Sequence, residues 1–273
     1  IGLHAWDAGF KLGGVCTSGS QVYPCQQFDN SSFDGFYKAV VSVNDGSVGI
    51  RPMTVKNTDF TNNSFCVFAV RSGYPLLLNC TFSIGKDNNQ CAAGIFAEQT
   101  PAFIIEQDTF GIAPQHPFEN FGVVIKNSKS QNQIYKNTFK GLYCANLSIG
   151  RNNTWMMPRN TTDAKSDILG LEYRCNENTD NLCDFYVLGG NSYYKLGIQT
   201  NQGALNVPAN NTFSEYSRYQ FINHGNNGIN YYYDPNLTNG TPNINSIYGV
   251  TLKTTMDSIG CPSHYTFGGI SYN

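Results

Sequence analysis

The sequence predicts an all-β protein, a right-handed parallel β-helix with irregular coils. Its composition suits strands and turns, because charged residues make up only 13% of the 273 residues and Asn, Gly, Ser and Thr are abundant instead. Helical periodicity is nearly absent, and short apolar or alternating runs recur between Asn- and Gly-rich turns. A short phrase ending in Thr-Phe or Thr-x-Phe also returns along the chain, and it is the most informative of the three observations.

The recurring phrase has the spacing of one coil of a solenoid. It occurs at 57–60, 79–82, 107–110, 136–139 and 210–213. The Phe residues of the first four copies follow one another at intervals of 22, 28 and 29 residues. One coil cannot bury its apolar face alone, so coils stack and share a core. We therefore expect Phe60, Phe82, Phe110 and Phe139 to stack inside, and the Asn residues to occupy tight turns and bond from coil to coil.

The alternative fold is an antiparallel β-sandwich. A sandwich explains the alternating strands, but it gives no reason for a phrase that returns once per coil. Within the β-helix, residues 1–50 are Gly-rich and are expected to form an N-terminal capping region, since terminal coils need a polar cover. Residues 51–273 are expected to form the coils, with an insertion near 152–167 and a less regular C-terminal end.

The cysteines predict an oxidising compartment. Nine are present, and two pairs lie close in sequence: Cys16 with Cys25, and Cys175 with Cys183. Zinc sites favour two to four intervening residues, fewer than either pair has, so disulfide loops are the better interpretation. Disulfides persist in secreted proteins, which predicts an extracellular or outer cell-surface location. The pairing of Cys66, Cys80, Cys91, Cys144 and Cys261 stays open.

Part of the chain resembles a known class of surface protein. The sequences Gly-Leu-Glu-Tyr-Arg-Cys-Asn-Glu-Asn at 170–178, Cys-Asp-Phe-Tyr-Val at 183–187 and Ala-Asn-Asn-Thr-Phe-Ser at 209–214 carry the resemblance. They resemble large surface proteins of Bacteroidetes, which have β-helix-like repeats ahead of a type IX secretion sorting domain. The resemblance covers about the last two-fifths of the chain and implies a β-helix and cell-surface export. It implies no activity, because fold does not determine function.

Two features of that class are missing from the sequence. It contains neither the sorting domain nor an adjoining enzymatic module, so we expect it to belong to a longer chain or complex. The net charge is only −2, which gives no bulk attraction to nucleic acid. No run of about 18 apolar residues predicts a transmembrane segment.

The sequence offers no catalytic constellation and no cofactor motif. Ca²⁺ is the one ion left open, because four acidic residues surround the second cysteine pair: Glu172, Glu177, Asp180 and Asp184. Exposed aromatic rows can stack on sugars or pack at protein interfaces. The candidates for such a ligand-facing role are Tyr193, Tyr194, Tyr231, Tyr232 and Tyr233.

These observations favour a non-catalytic function. The chain is predicted to be an extracellular structural, adhesive or binding module of a larger surface protein or assembly, with other surface proteins or polysaccharide as partners. The alternative is a polysaccharide lyase or glycoside hydrolase on a β-helix scaffold. Glycoside hydrolysis needs two carboxylates at a fixed separation, and the acidic residues of this chain are dispersed.

Overall fold

The structure is a computed structural model that describes most of the chain. It covers residues 1–17, 25, 27–46, 49, 51–85, 91–113, 119–154, 168–189, 196–255, 260–266 and 269–270. These residues form 28 β-strands and one 3₁₀ turn, Ile244–Ser246, and none of them is α-helical. Within the same ranges, no helix has the length and apolar character needed to cross a membrane.

The strands are short and follow one another closely along the chain. The first fourteen are β1 Leu3–Trp6, β2 Phe10–Gly13, β3 Val15–Cys16, β4 Phe28–Asp29, β5 Ser31–Asp34, β6 Lys38–Val43, β7 Pro52–Lys56, β8 Thr58–Asn63, β9 Phe65–Val70, β10 Gly73–Leu78, β11 Thr81–Ile84, β12 Ala92–Glu98, β13 Ile104–Glu106 and β14 Thr109–Ile112. The others are β15 Asn120–Lys126, β16 Asn132–Tyr135, β17 Thr138–Lys140, β18 Cys144–Ile149, β19 Leu171–Arg174, β20 Glu177–Thr179, β21 Cys183–Leu188, β22 Asn201–Gln202, β23 Tyr219–Asn223, β24 Ile229–Tyr233, β25 Ile247–Tyr248, β26 Val250–Thr254, β27 Tyr265–Thr266 and β28 Gly269–Ile270.

Three long parallel sheets account for most of these strands. Sheet 1 has nine strands in the order β1-β6-β9-β12-β15-β18-β21-β23-β25. Sheet 2 has the order β2-β7-β10-β13-β16-β19, and sheet 3 has the order β5-β8-β11-β14-β17-β20. Every pairing within them is parallel and joins strands from successive coils, for example β9 with β12 and β12 with β15. The fold is therefore a parallel β-helix, as predicted, and the antiparallel sandwich is wrong.

The repeated Phe residues form a stack inside the helix. Phe60, Phe82, Phe110 and Phe139 are buried. The distances between successive ring centroids along this stack are 5.0, 4.6 and 4.7 Å, and the ring planes are nearly parallel. Phe33, which lacks the Asn-Thr phrase, extends the stack at 5.5 Å from Phe60. The prediction for the four rings is confirmed.

Asn178 stands where the next ring of the stack would be. It is buried and is the register partner of Phe139 in sheet 3. Phe213, from the fifth copy of the phrase, instead lies edge-on to Phe185 with centroids 5.9 Å apart. The regular stack therefore belongs to the coils before residue 140.

The corner between sheets 2 and 3 also repeats. Five residues with a positive φ between 47° and 59° lie there in successive coils: Asn57, Asn79, Gln107, Lys136 and Cys175. Asn210, with φ 52°, occupies the equivalent point of the next coil, beside Cys175. Asn tolerates this conformation, and Asn79 Nδ2 donates a hydrogen bond to Asn57 Oδ1 at 2.7 Å.

A second polar ladder lies one position further along each coil, and it is buried. It consists of Asp108, Asn137, Asn176 and Asn211. Each Asn side-chain oxygen accepts the backbone N–H of the preceding member, at 2.9 to 3.1 Å. The expected coil-to-coil bonding of asparagines is thus confirmed at this corner.

The ends of the chain contribute differently from the middle. The predicted capping region, 1–50, supplies strands β1, β2 and β5, which are the terminal strands of the three sheets. The predicted insertion near 152–167 lies mostly outside the described residues, and an antiparallel bridge between Asn153 and Gly170 joins the chain on either side of it. In the C-terminal end, β22, β24 and β26 form a separate three-stranded parallel sheet.

The structure contains two disulfides, and one of them differs from the prediction. Cys16 pairs with Cys25 as predicted. Cys175 pairs with Cys261 and not with Cys183, so that second pairing was wrong. The reason is that Cys175 occupies the corner between sheets 2 and 3, whereas Cys183 begins strand β21 of sheet 1.

The segment around Cys261 lies against the coils. Its His264 binds the buried Glu106 carboxylate through the backbone N–H at 2.7 Å and through Nδ1 at 2.9 Å. The His264 ring also packs on Tyr135, with centroids 4.3 Å apart. The C-terminal segment is therefore held to the helix by a covalent bond and by polar contacts.

Candidate binding surface on the nine-stranded sheet

The tyrosines selected from the sequence do not form a ligand-facing row. Tyr231 is fully buried, and its hydroxyl accepts a hydrogen bond from Asn211 Nδ2 at 3.3 Å. Tyr233 packs partly buried against the core, and Tyr232 is half-buried. Consecutive side chains of a strand point to opposite faces, so three tyrosines in sequence cannot share one exposed face. Tyr193 and Tyr194 lie outside the described residues.

Sheet 1 instead carries a second apolar surface on its outer side. Its inward side chains, such as Ala97, Ile125 and Val187, belong to the main core. Alternating with them, an outward row runs through successive strands in register: His4, Val41, Phe68, Phe96, Val124, Leu147, Tyr186, Ile222 and Tyr248. Several of these side chains form a hydrophobic cluster separate from the core. We call this side of sheet 1 the outer face.

At its C-terminal coils the outer face becomes aromatic and polar. We define the aromatic patch as Tyr143, Tyr186, Tyr219, His224 and Tyr248. The His224 ring lies 5.7 Å from Tyr186 and 5.1 Å from Tyr248, centroid to centroid. Tyr143 is 46% exposed, Tyr219 is 37% exposed and Tyr248 is 61% exposed. The patch therefore offers exposed ring surface together with phenol and imidazole groups that form hydrogen bonds.

The charged side chains of the outer face are already engaged. Lys38 Nζ lies 3.6 Å from the centroid of the Phe68 ring, a cation–π contact. Lys126 Nζ forms an ion pair with Glu98 Oε1 at 2.9 Å. Among the described outward positions of sheet 1, Glu98 is the only carboxylate.

A groove begins where the middle strands of sheet 1 end. It encloses about 670 Å³ and is lined by Gln99, Pro101, Asn127, Lys129, Ser130, Arg151 and Leu196. Gln99 and Asn127 directly follow β12 and β15 and have φ values of 52°. Asn127 Oδ1 accepts the backbone N–H of Arg151 at 3.1 Å, which fixes the amide in the wall. Lys129 and Arg151 are the cations of the described lining.

The four acidic residues predicted around the second cysteine pair lie on different elements. Glu172, in sheet 2, forms an ion pair with Arg174, whose Nε lies 3.8 Å from Glu172 Oε1. Glu177 and Asp180 are exposed. Asp184 is buried in sheet 1. Within the ranges that the structure covers, no three His, Cys, Asp or Glu side chains gather as a metal site would require.

The buried Asp184 carboxylate forms hydrogen bonds within the protein. Its Oδ2 accepts the Ser214 backbone N–H at 2.9 Å, and its Oδ1 accepts bonds from Ser214 Oγ and Asn181 Nδ2 at 2.7 and 3.1 Å. Burial raises the pKa of Asp184 to about 6, although these hydrogen bonds act in the opposite direction. The carboxylate therefore joins neighbouring coils and does not face a ligand.

The chain matches no protein-family model, no curated protein and no solved structure. The disulfides, and the lack of a membrane-spanning helix in the described part of the chain, are compatible with an extracellular protein.

Proposed function

We propose that the chain is a non-catalytic extracellular binding or adhesive module of a larger cell-surface protein, and that an anionic polysaccharide is its ligand. The observation that carries this proposal is the aromatic patch on the outer face of sheet 1. Rings supplied by successive strands form a broad surface, which suits an extended polymer better than a small molecule. The groove lies at the ends of the middle strands of the same sheet, after β12 and β15.

The chemistry of the two surfaces matches a charged sugar polymer. Aromatic rings contact the apolar faces of sugar rings, and the hydroxyls of the exposed Tyr219 and Tyr248 can form hydrogen bonds with sugar hydroxyls. Lys129 in the groove attracts the carboxylate or sulfate groups of such a polymer. A uronate or sulfated glycan therefore fits better than a neutral one.

The extracellular assignment is supported by the disulfides. Disulfides are rare in cytosolic proteins, and the Cys175–Cys261 bond joins segments 86 residues apart. The resemblance of 170–214 to Bacteroidetes surface proteins supports the same location and the type IX export route.

The enzyme alternative is less well supported. Acid–base cleavage of a glycosidic bond requires a pair of carboxylates, one of them with a raised pKa. Among the described outward positions of sheet 1, Glu98 is the only carboxylate, and its ion pair with Lys126 occupies it. This arrangement favours binding over hydrolysis.

Replacing Tyr248 with Ala should weaken polysaccharide binding about tenfold, the equivalent of about 1.4 kcal/mol, because an exposed ring in a binding surface supplies much of its contact area. Polygalacturonate is the probe, and affinity electrophoresis or calorimetry is the measurement. The matched control is Tyr74→Ala, which removes a ring that is 53% exposed on sheet 2. Equal affinities of both variants and the unmodified chain would contradict the assignment of the binding surface to sheet 1.

A further inference from the structure

Cys144 and Cys183 meet on the outer side of sheet 1. They begin the neighbouring parallel strands β18 and β21, and they are register partners. Both are buried, with 1% and 4% of their surface exposed, and both belong to the hydrophobic cluster of the outer face. Burial raises the pKa of Cys144, and the Cys183 thiol is close enough to contribute to this shift. Both are free thiols in this structure.

The backbone geometry permits a bond between the two sulfurs. Neighbouring strands lie about 4.8 Å apart, and disulfides join residues with Cα atoms about 4.4 to 6.8 Å apart. Side chains of register partners project to the same face of a sheet, so the two Cβ atoms point in the same direction. No backbone movement between sheets is needed, unlike for Cys175 with Cys183.

We propose that Cys144 and Cys183 form a third disulfide in the exported protein. The bond links two consecutive coils beneath the aromatic patch, where Tyr143 is the neighbour of Cys144 in the chain and Tyr186 packs on the same cluster. It closes a loop of the chain that contains the predicted insertion near 152–167. The inference rests on the oxidising location given under the proposed function, but it does not depend on the ligand.

The reaction balances as a thiol–disulfide exchange. A thiolate of one cysteine attacks an oxidised dithiol oxidase, and the second cysteine then displaces the oxidase from the mixed disulfide. The two cysteines lose two protons and two electrons, and the oxidase disulfide becomes a dithiol. Burial raises the pKa of the Cys144 thiol, which disfavours the reactive thiolate once the coil has packed. Because both cysteines are buried, the packed sheet shields the bond from reductants once it has formed.

The remaining cysteines have different surroundings. Cys66 lies in the core on β9, and Cys80 lies at the corner between β10 and β11, where its thiol donates to backbone carbonyls. Cys91 Sγ donates to Glu119 Oε2 at 3.8 Å. Of the nine cysteines, three disulfides would leave these three as thiols.

Peptide mapping of the exported chain tests the inference without any variant. The protein is denatured with an alkylating reagent present, digested without reduction and analysed by mass spectrometry. We expect the Cys144 peptide to be linked to the Cys183 peptide, two hydrogens lighter than the two free peptides together. Alkylation should be confined to Cys66, Cys80 and Cys91. In a Cys144→Ala variant, Cys183 should become an additional alkylated thiol.

The alternative results separate the inference from the proposed function. If both cysteines are alkylated while Cys16–Cys25 and Cys175–Cys261 are recovered as disulfides, the third disulfide is wrong and the extracellular location stands. If all nine cysteines are alkylated, both the inference and the location are wrong. Recovery of a Cys175–Cys183 link would overturn the inference and the structure around it.

Discussion

Replacing Phe110 with Ala should lower the free energy of unfolding by about 3–5 kcal/mol. Phe110 is fully buried between Phe82 and Phe139, with centroid distances of 4.6 and 4.7 Å. Removing the ring leaves a cavity in the middle of the stack. The backbone hydrogen bonds between coils fix their spacing, so the coils cannot move together to fill the cavity. The loss therefore combines transfer of the ring with an unfilled cavity. Urea denaturation of the variant and of the unmodified chain gives the difference.

The control for Phe110 is a stacked ring outside the core, on the outer face of sheet 1. Phe96 stacks on Phe68 at 4.9 Å, but it lies on the outer face and is half-buried. Phe96→Ala should cost about 1 kcal/mol, because less apolar surface is lost and no enclosed cavity forms. If the two variants lose the same free energy, the stack is not the core of the helix.

Replacing Asp108 with Asn should raise the free energy of unfolding by about 1–3 kcal/mol at pH 7. Asp108 Oδ1 accepts the Cys80 backbone N–H at 2.6 Å, while Oδ2 has no hydrogen-bond partner. The next ladder member, Asn137, uses its Nδ2 to donate to the Ile105 carbonyl at 2.9 Å. By register, an Asn at 108 can donate to the carbonyl of Leu77 in the same way. Urea denaturation measures the gain.

The pH dependence of this gain follows from the pKa of Asp108. Burial raises that pKa well above its usual value, and the nearby Glu106 carboxylate adds to the shift. Below about pH 4 the carboxyl is protonated in both the folded and the unfolded chain, so it imposes no penalty. As the pH rises above about 4, the unfolded chain ionises first and stability is lost, by up to about 1.4 kcal/mol per pH unit until the folded pKa is reached. The advantage of Asp108→Asn should therefore be small at pH 4 and larger at pH 7.

The control for Asp108 is an exposed aspartate. Asp180→Asn should change the unfolding free energy by less than about 0.5 kcal/mol, because Asn tolerates the φ of 57° at this position. An Asp108→Asn variant that is less stable than the unmodified chain at pH 7 but not at pH 4 would show that the carboxylate is charged in the folded ladder.

The fold could be predicted because one coil repeats its physical requirements in the next. The coils before residue 140 place a ring inside at the position of Phe82 or Phe110, and their corners hold residues with positive φ, such as Asn57 or Asn79. The same residue types therefore recur at intervals of one coil, and the sequence shows them as the repeated Thr-Phe phrase. The coil that contains Asn178 has no such phrase, so the sequence did not show which residue follows Phe139 in the stack.

The disulfide and the binding surface depend on contacts that sequence distance conceals. Cys175 and Cys183 are close in the chain, but a corner of the coil separates them, whereas Cys261 returns from 86 residues away. The aromatic patch takes single residues from separate strands, such as Tyr186 and Tyr248, so no single stretch of sequence shows it. Aligning strands β18 and β21 on Cys144 and Cys183 places Tyr143 beside Leu182, and both residues are exposed. This alignment is visible in the sequence and indicates an exposed apolar surface at the start of these strands.

The most direct test of the central claim is to measure binding and turnover together on a polysaccharide panel. The chain is incubated with polygalacturonate, with a sulfated glycan and with neutral dextran, with Ca²⁺ present. Bound protein, new reducing ends and the absorbance of unsaturated products are measured in each sample. We expect the anionic polymers to retain the chain, added salt to weaken this retention, and no product to form. Product formation that is abolished by changing a single acidic residue would contradict it and establish the chain as an enzyme.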